Sequence, residues 1–276
     1  MDISWATLFY IVGIYGLVRF LAKPPKELDS KTVNWTPLES VGVTIFIFFF
    51  GQLLGGLMVS ALPLIFGWGE SQVVDWVSND AFGQFFTICT VDAISVFLLL
   101  KFLKKRKNSV AILGLVKTVK WSDLFYAIGT YILYFIVFLF VIQIATSLFP
   151  AIDVEQKQQI GFNAVSQWKL PLVFISLVIL PAVVEELLIR GFLYGGLREK
   201  IPKVLAVFLT SFIFAVAHLQ FGSGEKLLWV AAIDTFVLSI FLIMLREKTG
   251  RLWSSIMLHG IKNSVAFVSL FILKII

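Results

Sequence analysis

Apolar residues run along this chain in long blocks separated by short polar stretches, and eight of the blocks are long enough to cross a bilayer as helices. They cover residues 3–22, 40–67, 82–100, 124–149, 170–197, 204–221, 227–245 and 252–276. A helix rises about 1.5 Å per residue, so roughly 20 residues span the hydrocarbon. The fifth block is purely apolar only over residues 170–184. It spans only if Glu185 and Glu186 lie inside the membrane and not at its edge.

Composition removes the soluble alternative. Of 276 residues, 59% are hydrophobic and 14% charged, against roughly 25% charged in a soluble domain. That leaves too little polar surface to dress a globule in water. The fold class is therefore all-α, a polytopic integral membrane protein. One cysteine, Cys89, excludes a disulfide framework and a cysteine metal cluster. The first charge is Asp2, with no basic segment before the apolar run, so the N-terminus does not read as a cleavable signal.

The net charge of +6 reads as topology, with no nucleic-acid partner implied. Arg19, Lys23, Lys26 and Lys31 follow the first block; Lys101, Lys104, Lys105, Arg106, Lys107, Lys117 and Lys120 follow the third. Arg190, Arg198, Lys200 and Lys203 end or follow the fifth, and Arg246, Lys248 and Arg251 follow the seventh. Eighteen of the 23 basic residues thus fall on one side, while loop 68–81 carries Glu70, Asp75 and Asp80 and no base. By the positive-inside rule the odd-numbered loops are cytoplasmic and both termini are outside. The stretch around Lys104–Lys120 reads as a topology determinant touching anionic lipid. No repeat or soluble insertion interrupts the chain, which reads as one membrane domain: residues 1–150 without motifs, and residues 170–267 carrying the chemistry.

Ionisable residues inside spans are costly and mark function by default. Here they are Asp92, Glu185, Glu186, Arg190, His218, Asp234, His259 and Lys262, with both histidines of the chain among them. Glu186 and Arg190 are four apart and can pair on one helix face. Glu185 lies about 100° away around an α-helix, unpaired, facing a cavity with its pKa raised by burial. His259 and Asn263 share a face, as do Phe214 and His218, whose rings can pack and fix the imidazole. A buried carboxylate and an imidazole can activate water, and a His/Asn pair can donate to an oxyanion. That combination suits peptide-bond hydrolysis. The bland alternative is that these groups only hold helices together.

The runs Glu185-Glu186-Leu187-Leu188-Ile189-Arg190, Phe214-Ala215-Val216-Ala217-His218 and His259-Gly260-Ile261-Lys262-Asn263 match EExxxR, FxxxH and HxxxN. In order and approximate spacing the chain resembles the CPBP family, the CAAX proteases and bacteriocin-processing enzymes, also called Abi or Rce1-like glutamate intramembrane proteases. The resemblance implies eight transmembrane helices around a conical cavity open to the cytosol and the membrane. It implies that Glu185 activates water together with His218, that His259 and Asn263 stabilise the oxyanion, and that Glu186, Arg190 and Phe214 support them. It also implies a membrane-associated peptide or protein tail as substrate. A prenylated CAAX tail in the endoplasmic reticulum follows only in a eukaryote; in a bacterium, leader peptides or anchored proteins at the cell membrane do. No cofactor is expected.

Rival chemistries fail on residues. A zinc site-2 type needs HExxH, and neither histidine is followed by Glu. A rhomboid type needs GxSG in a span, and Gly222-Ser223-Gly224 lies in a short loop. Asp92 and Asp234 lack the GxGD context of an aspartyl type. Within the preferred site, Glu185, His218 and His259 would make a His₂Glu zinc set as the alternative to metal-free chemistry. A transporter would show repeat symmetry or Gly/Pro-broken helix pairs. A non-catalytic scaffold or bacteriocin-immunity factor of the same family would keep the motifs.

Overall fold

Every apolar block that falls on the described residues is a helix, and among those residues there is no strand. The computed structural model describes residues 12–13, 15–16, 33–115, 118–156, 161–162, 165–221 and 226–275. Most of the first predicted span and the Gly222-Ser223-Gly224 loop lie outside them. The helices are α1 (Pro37–Ile65), α2 (Glu70–Asn79), α3 (Ala81–Lys105), α4 (Trp121–Leu148), α5 (Gln167–Lys200), α6 (Lys203–Ala217), α7 (Trp229–Thr249) and α8 (Trp253–Ile272). Six are long and apolar enough to cross a membrane; α2 and α6 are not among them. Large apolar side chains such as Leu38, Phe49 and Phe125 are more than half exposed, as lipid-facing positions of a multi-pass membrane protein must be.

Two elements depart from the sequence reading. The predicted sixth span, residues 204–221, is a helix of 15 residues that stops at its C-cap His218. At about 1.5 Å per residue it is about 22 Å long, short of the roughly 30 Å hydrocarbon thickness. The expected loop 68–81 contains α2. The Gln72 side chain accepts from the Gly69 N–H at 2.9 Å, and Val73 is the buried residue on the inner face. A short helix with one apolar turn among acids reads as loop from composition alone.

Close packing divides the chain into two units, the first made of residues 1–31, 114–158 and 201–258 and the second of residues 32–113, 159–200 and 259–276. In the first, α7 packs against both α4 and α6. Asp123, fully buried near the start of α4, accepts from Arg251 Nη2 at 2.7 Å and Ser254 Oγ at 2.8 Å. Arg251 also donates to the Thr118 carbonyl at 3.1 Å. Deeper in the unit, the Tyr134 hydroxyl donates to Asp234, so that this intramembrane aspartate has a phenol as partner.

In the second unit α1 packs against α3, and both carry small residues at the crossing. A Cβ on Gly55 would lie 2.6 Å from Val91 Cγ2 and 3.0 Å from its Cα, so the 51/55 glycine pair permits close backbone approach. Gly191 and Gly196 on α5 are close-packed too: a Cβ on Gly191 would lie 3.2 Å from Leu113, and one on Gly196 would collide with Ser40 Oγ and Trp35 Nε1. Trp35 is buried, stacks on Phe192 at 4.9 Å and donates to Ser40 Oγ at 3.1 Å.

Burial also revises the charge reading. Arg190 is 0% and Arg251 8% exposed, each bonded to a buried carboxylate, so neither is a free topology charge. Lys101, Lys104, Lys105, Lys107 and Lys120 are exposed and keep the bias. Asn79 and Asn108 flank α3, which is long enough to span. Single cysteines placed there in a Cys89→Ser background are expected to label from opposite sides, with position 108 cytoplasmic. Labelling from one side would refute the topology.

At the other end of α3, Asp80 caps the helix through the N–H groups of Phe82 (2.8 Å) and Gly83 (3.3 Å) and pairs with Lys169 Nζ at 2.7 Å. Burial pushes its carboxyl up, but the Lys169 hydrogen bond and charge and the two N–H groups outweigh it, leaving it below the usual carboxylate range. A folded value below the unfolded one means stability that is present above about pH 4 and lost as pH falls through the folded value. Asp80→Asn keeps a capping side chain but loses the charge facing Lys169, and is expected to cost up to about 1 kcal/mol near neutrality, with the gap to wild type closing in acid. Melting curves across pH check it; a gap that stays constant in acid refutes the linkage.

Candidate active site

Unit two gathers five of the seven residues singled out by motif: Glu185, Glu186, Arg190, His259 and Asn263. Four of them make one connected cluster. Arg190 Nη1 donates to Glu186 Oε1 at 2.9 Å, with both side chains at 0% exposure. The same oxygen lies 3.1 Å from His259 Nδ1. The other ring nitrogen, Nε2, faces Glu185 Oε2 at 3.9 Å. His259 therefore stands between the two glutamates, and a carboxylate at Nδ1 requires that nitrogen to carry the hydrogen.

The helix around the glutamates is not regular. The α-helical turn Leu180–Glu185 gives way to a π-helical stretch, Glu186–Leu193, and another, Ile175–Ile179, precedes it. Such insertions are frequent at functional sites, where one extra residue per turn re-aims the side chains that follow. All eight residues of the second stretch are buried, and the Trp35–Phe192 stack holds its far half. The pairing of Glu186 with Arg190 survives the change of period.

Proline explains where Asn263 goes. Pro181 has no N–H to return to the carbonyl four residues earlier, that of Leu177. Asn263 Nδ2 donates to that carbonyl at 3.1 Å. One amide hydrogen is thus used within the unit, and the amide carries two.

The glutamates differ as the spacing predicts in partners, but not in burial as first read. Glu186 is sealed. Glu185 is 35% exposed along its side chain, although its Oε2 is covered and makes no hydrogen bond among the described residues. Asp92 stands in the sequence as an ionisable residue inside a span, with no place among the motif residues. It sits mid-way along α3, which packs against the Leu180–Glu185 turn. Its presence in the middle of a span was the available signal.

Phe214 and His218 belong to the first unit. Their rings meet edge to face, with centroids 4.7 Å apart, as their spacing implied. His218 Nδ1 lies 2.8 Å from the Phe214 carbonyl oxygen. A carbonyl only accepts, so Nδ1 carries the hydrogen, and in the neutral ring Nε2 is the accepting nitrogen. Helix α6 ends here, with Gln220 at φ 53° in the left-handed region. Among the described residues no three of His, Cys, Asp and Glu form a group placed to hold a metal.

Residues 167–265 match the family model described as type II CAAX prenyl endopeptidase Rce1-like, a stretch that includes all three motifs. No curated protein and no solved structure matches the chain.

Proposed function

We propose, from the premise that residues 167–265 are an Rce1-like domain within a multi-pass membrane protein, that this chain is an intramembrane endopeptidase using glutamate-activated water. The observation that carries the reading is His259 held between Glu185 and Glu186 at 3.9 and 3.1 Å in a cluster with buried Arg190. A group of helices needs no such constellation to pack, and each charge inside a span is costly. Water attached to Glu185 gives that carboxylate a proton as its oxygen bonds to the scissile carbonyl carbon. His259 Nε2 and the second Asn263 hydrogen donate to the oxyanion. For His259 to donate there while Nδ1 serves Glu186, the ring must be imidazolium, and the Glu186 carboxylate is the counter-charge that holds it so. Collapse breaks the C–N bond, and the proton on Glu185 passes to the leaving amine. His218 is assigned as helper of the base on its motif alone, and Phe214 as the ring that fixes it.

Substrates in this reading are peptides or protein tails lying at the membrane, of the prenylated CAAX type where the host cell makes them. The reaction needs no metal: dialysis against a strong chelator should leave activity intact. The deciding comparison is the membrane peptidome of cells carrying wild type against Glu185→Gln. A cleavage product lost in the variant supports hydrolysis. Identical peptidomes across growth conditions favour a non-catalytic scaffold.

A further inference from the structure

Pro181 stands in the interior of the 34-residue helix α5. Its ring crowds the carbonyl four residues back, that of Leu177, and offers it no N–H. The turn before it, Ile175–Ile179, is widened to a π-helical one, which makes room for the ring. A carbonyl that loses its helical donor inside a membrane is served from elsewhere, commonly by a neighbouring helix. Here the donor is Asn263 Nδ2, at 3.1 Å. Helix α8 lies close enough to supply it: a Cβ on Gly260 would stand 3.9 Å from Ala182 Cβ, beside the proline.

The contact can serve either partner. If the carbonyl is the group in need, Asn263 only mends a broken ladder, and any residue with an N–H at position 181 would mend it with less loss of helix stability than proline. What the proline adds is a fixed acceptor for the amide. A free carboxamide can turn over and present either its oxygen or its nitrogen to the same place. A carbonyl only accepts, so the edge that faces Leu177 is Nδ2; turned over, the amide would set two oxygens against each other. With one hydrogen on Leu177, the planar amide fixes the direction of the second. Asn263 shares its helix face with His259, four residues earlier, which stands against the two glutamates at 3.1 and 3.9 Å.

We propose that Pro181 is a positioning residue of the hydrolytic site: by leaving the Leu177 carbonyl without its helical donor, it pins the Asn263 amide and holds the second amide hydrogen for the oxyanion. This rests on Asn263 being an oxyanion donor. Pro181 touches no reacting atom and acts only through that amide. An N–H at position 181 would compete for the Leu177 carbonyl, releasing Asn263 to rotate and to present its oxygen, which repels an oxyanion.

Melting midpoints of Pro181→Ala, Asn263→Ala and the double variant test the link without any substrate. Asn263→Ala should lower the midpoint in the wild-type background, and by distinctly less beside Pro181→Ala, where the new N–H serves the Leu177 carbonyl. Equal shifts in both backgrounds overturn the inference. In the cleavage assay Pro181→Ala should lower kcat about 10- to 10²-fold with KM within about twofold. Lactic acid in place of Pro181 puts an ester oxygen where alanine carries its N–H, and should bring kcat back to within about threefold of wild type. Unchanged kcat in Pro181→Ala overturns the positioning role and leaves the contact a structural one. A folded ester variant that is as slow as Asn263→Ala also overturns it, and decides the question alone if Pro181→Ala does not fold. The melting cycle fails only if the link between Pro181 and Asn263 is wrong, whereas equal wild-type and Glu185→Gln peptidomes count against the hydrolase reading itself.

Discussion

Glu185→Gln is expected to abolish cleavage, by about 10²–10⁴-fold, while leaving the protein folded and its melting curve close to that of wild type. The substitution keeps the shape of the side chain and removes only its ability to take a proton. No buried cation depends on it directly: Arg190 is bonded to the neighbouring Glu186, and the contact of Glu185 with His259 is the longer one, at 3.9 Å. A third of the Glu185 side chain is exposed, so the new amide is not forced into a sealed apolar pocket. A cleavage assay run beside melting in the same detergent decides the matter. If this variant is the one that unfolds, Glu185 is a structural carboxylate and the base lies elsewhere.

Glu186→Gln is expected to fail in the opposite order, losing stability or yield first and activity as a consequence. Glu186 and Arg190 are both fully buried, and removing one partner of such a pair typically costs on the order of 3–5 kcal/mol. The loss reaches further than one pair. Oε1 of Glu186 also faces His259 Nδ1, so the imidazole loses the group that orients it. The double substitution Glu186→Gln with Arg190→Gln removes the stranded cation and should recover part of the stability, though not the placement of His259. Melting midpoints of the two single variants and the double variant form the necessary cycle. A stable Glu186→Gln protein without activity would mean that the two carboxylates have been assigned in reverse.

Both expectations come from an asymmetry that four-residue spacing already contains. Glu186 and Arg190 share a helix face at any period near that of an α-helix, and the adjacent Glu185 cannot join them. The edge-to-face contact of Phe214 with His218 was legible for the same reason. Burial was less legible than pairing. Arg251 reads as a loop charge, and Arg190 counts both as a topology charge at the end of its block and as the partner of Glu186 inside it. Asp123 draws Arg251 inside, and the Glu186 pair leaves Arg190 no exposed face.

What the sequence determined by itself is whatever depends on composition and local period. The excess of hydrocarbon compels a membrane protein, the length of each apolar block compels helices, and three motifs at fixed spacing name the candidate side chains of the proposed site. The tertiary structure alone decided how residues far apart in the chain meet. His259 lies between two glutamates more than seventy positions away because its helix packs against theirs. Asn263 docks on the Leu177 carbonyl that Pro181 cannot serve. The helix that carries Asp92, α3, packs against both α1 and the Leu180–Glu185 turn, pairings that no local period reveals. The π-helical stretch at Glu186–Leu193 left no mark in the sequence, since a single extra residue in a turn is set by what the helix packs against and not by the propensities of its own residues.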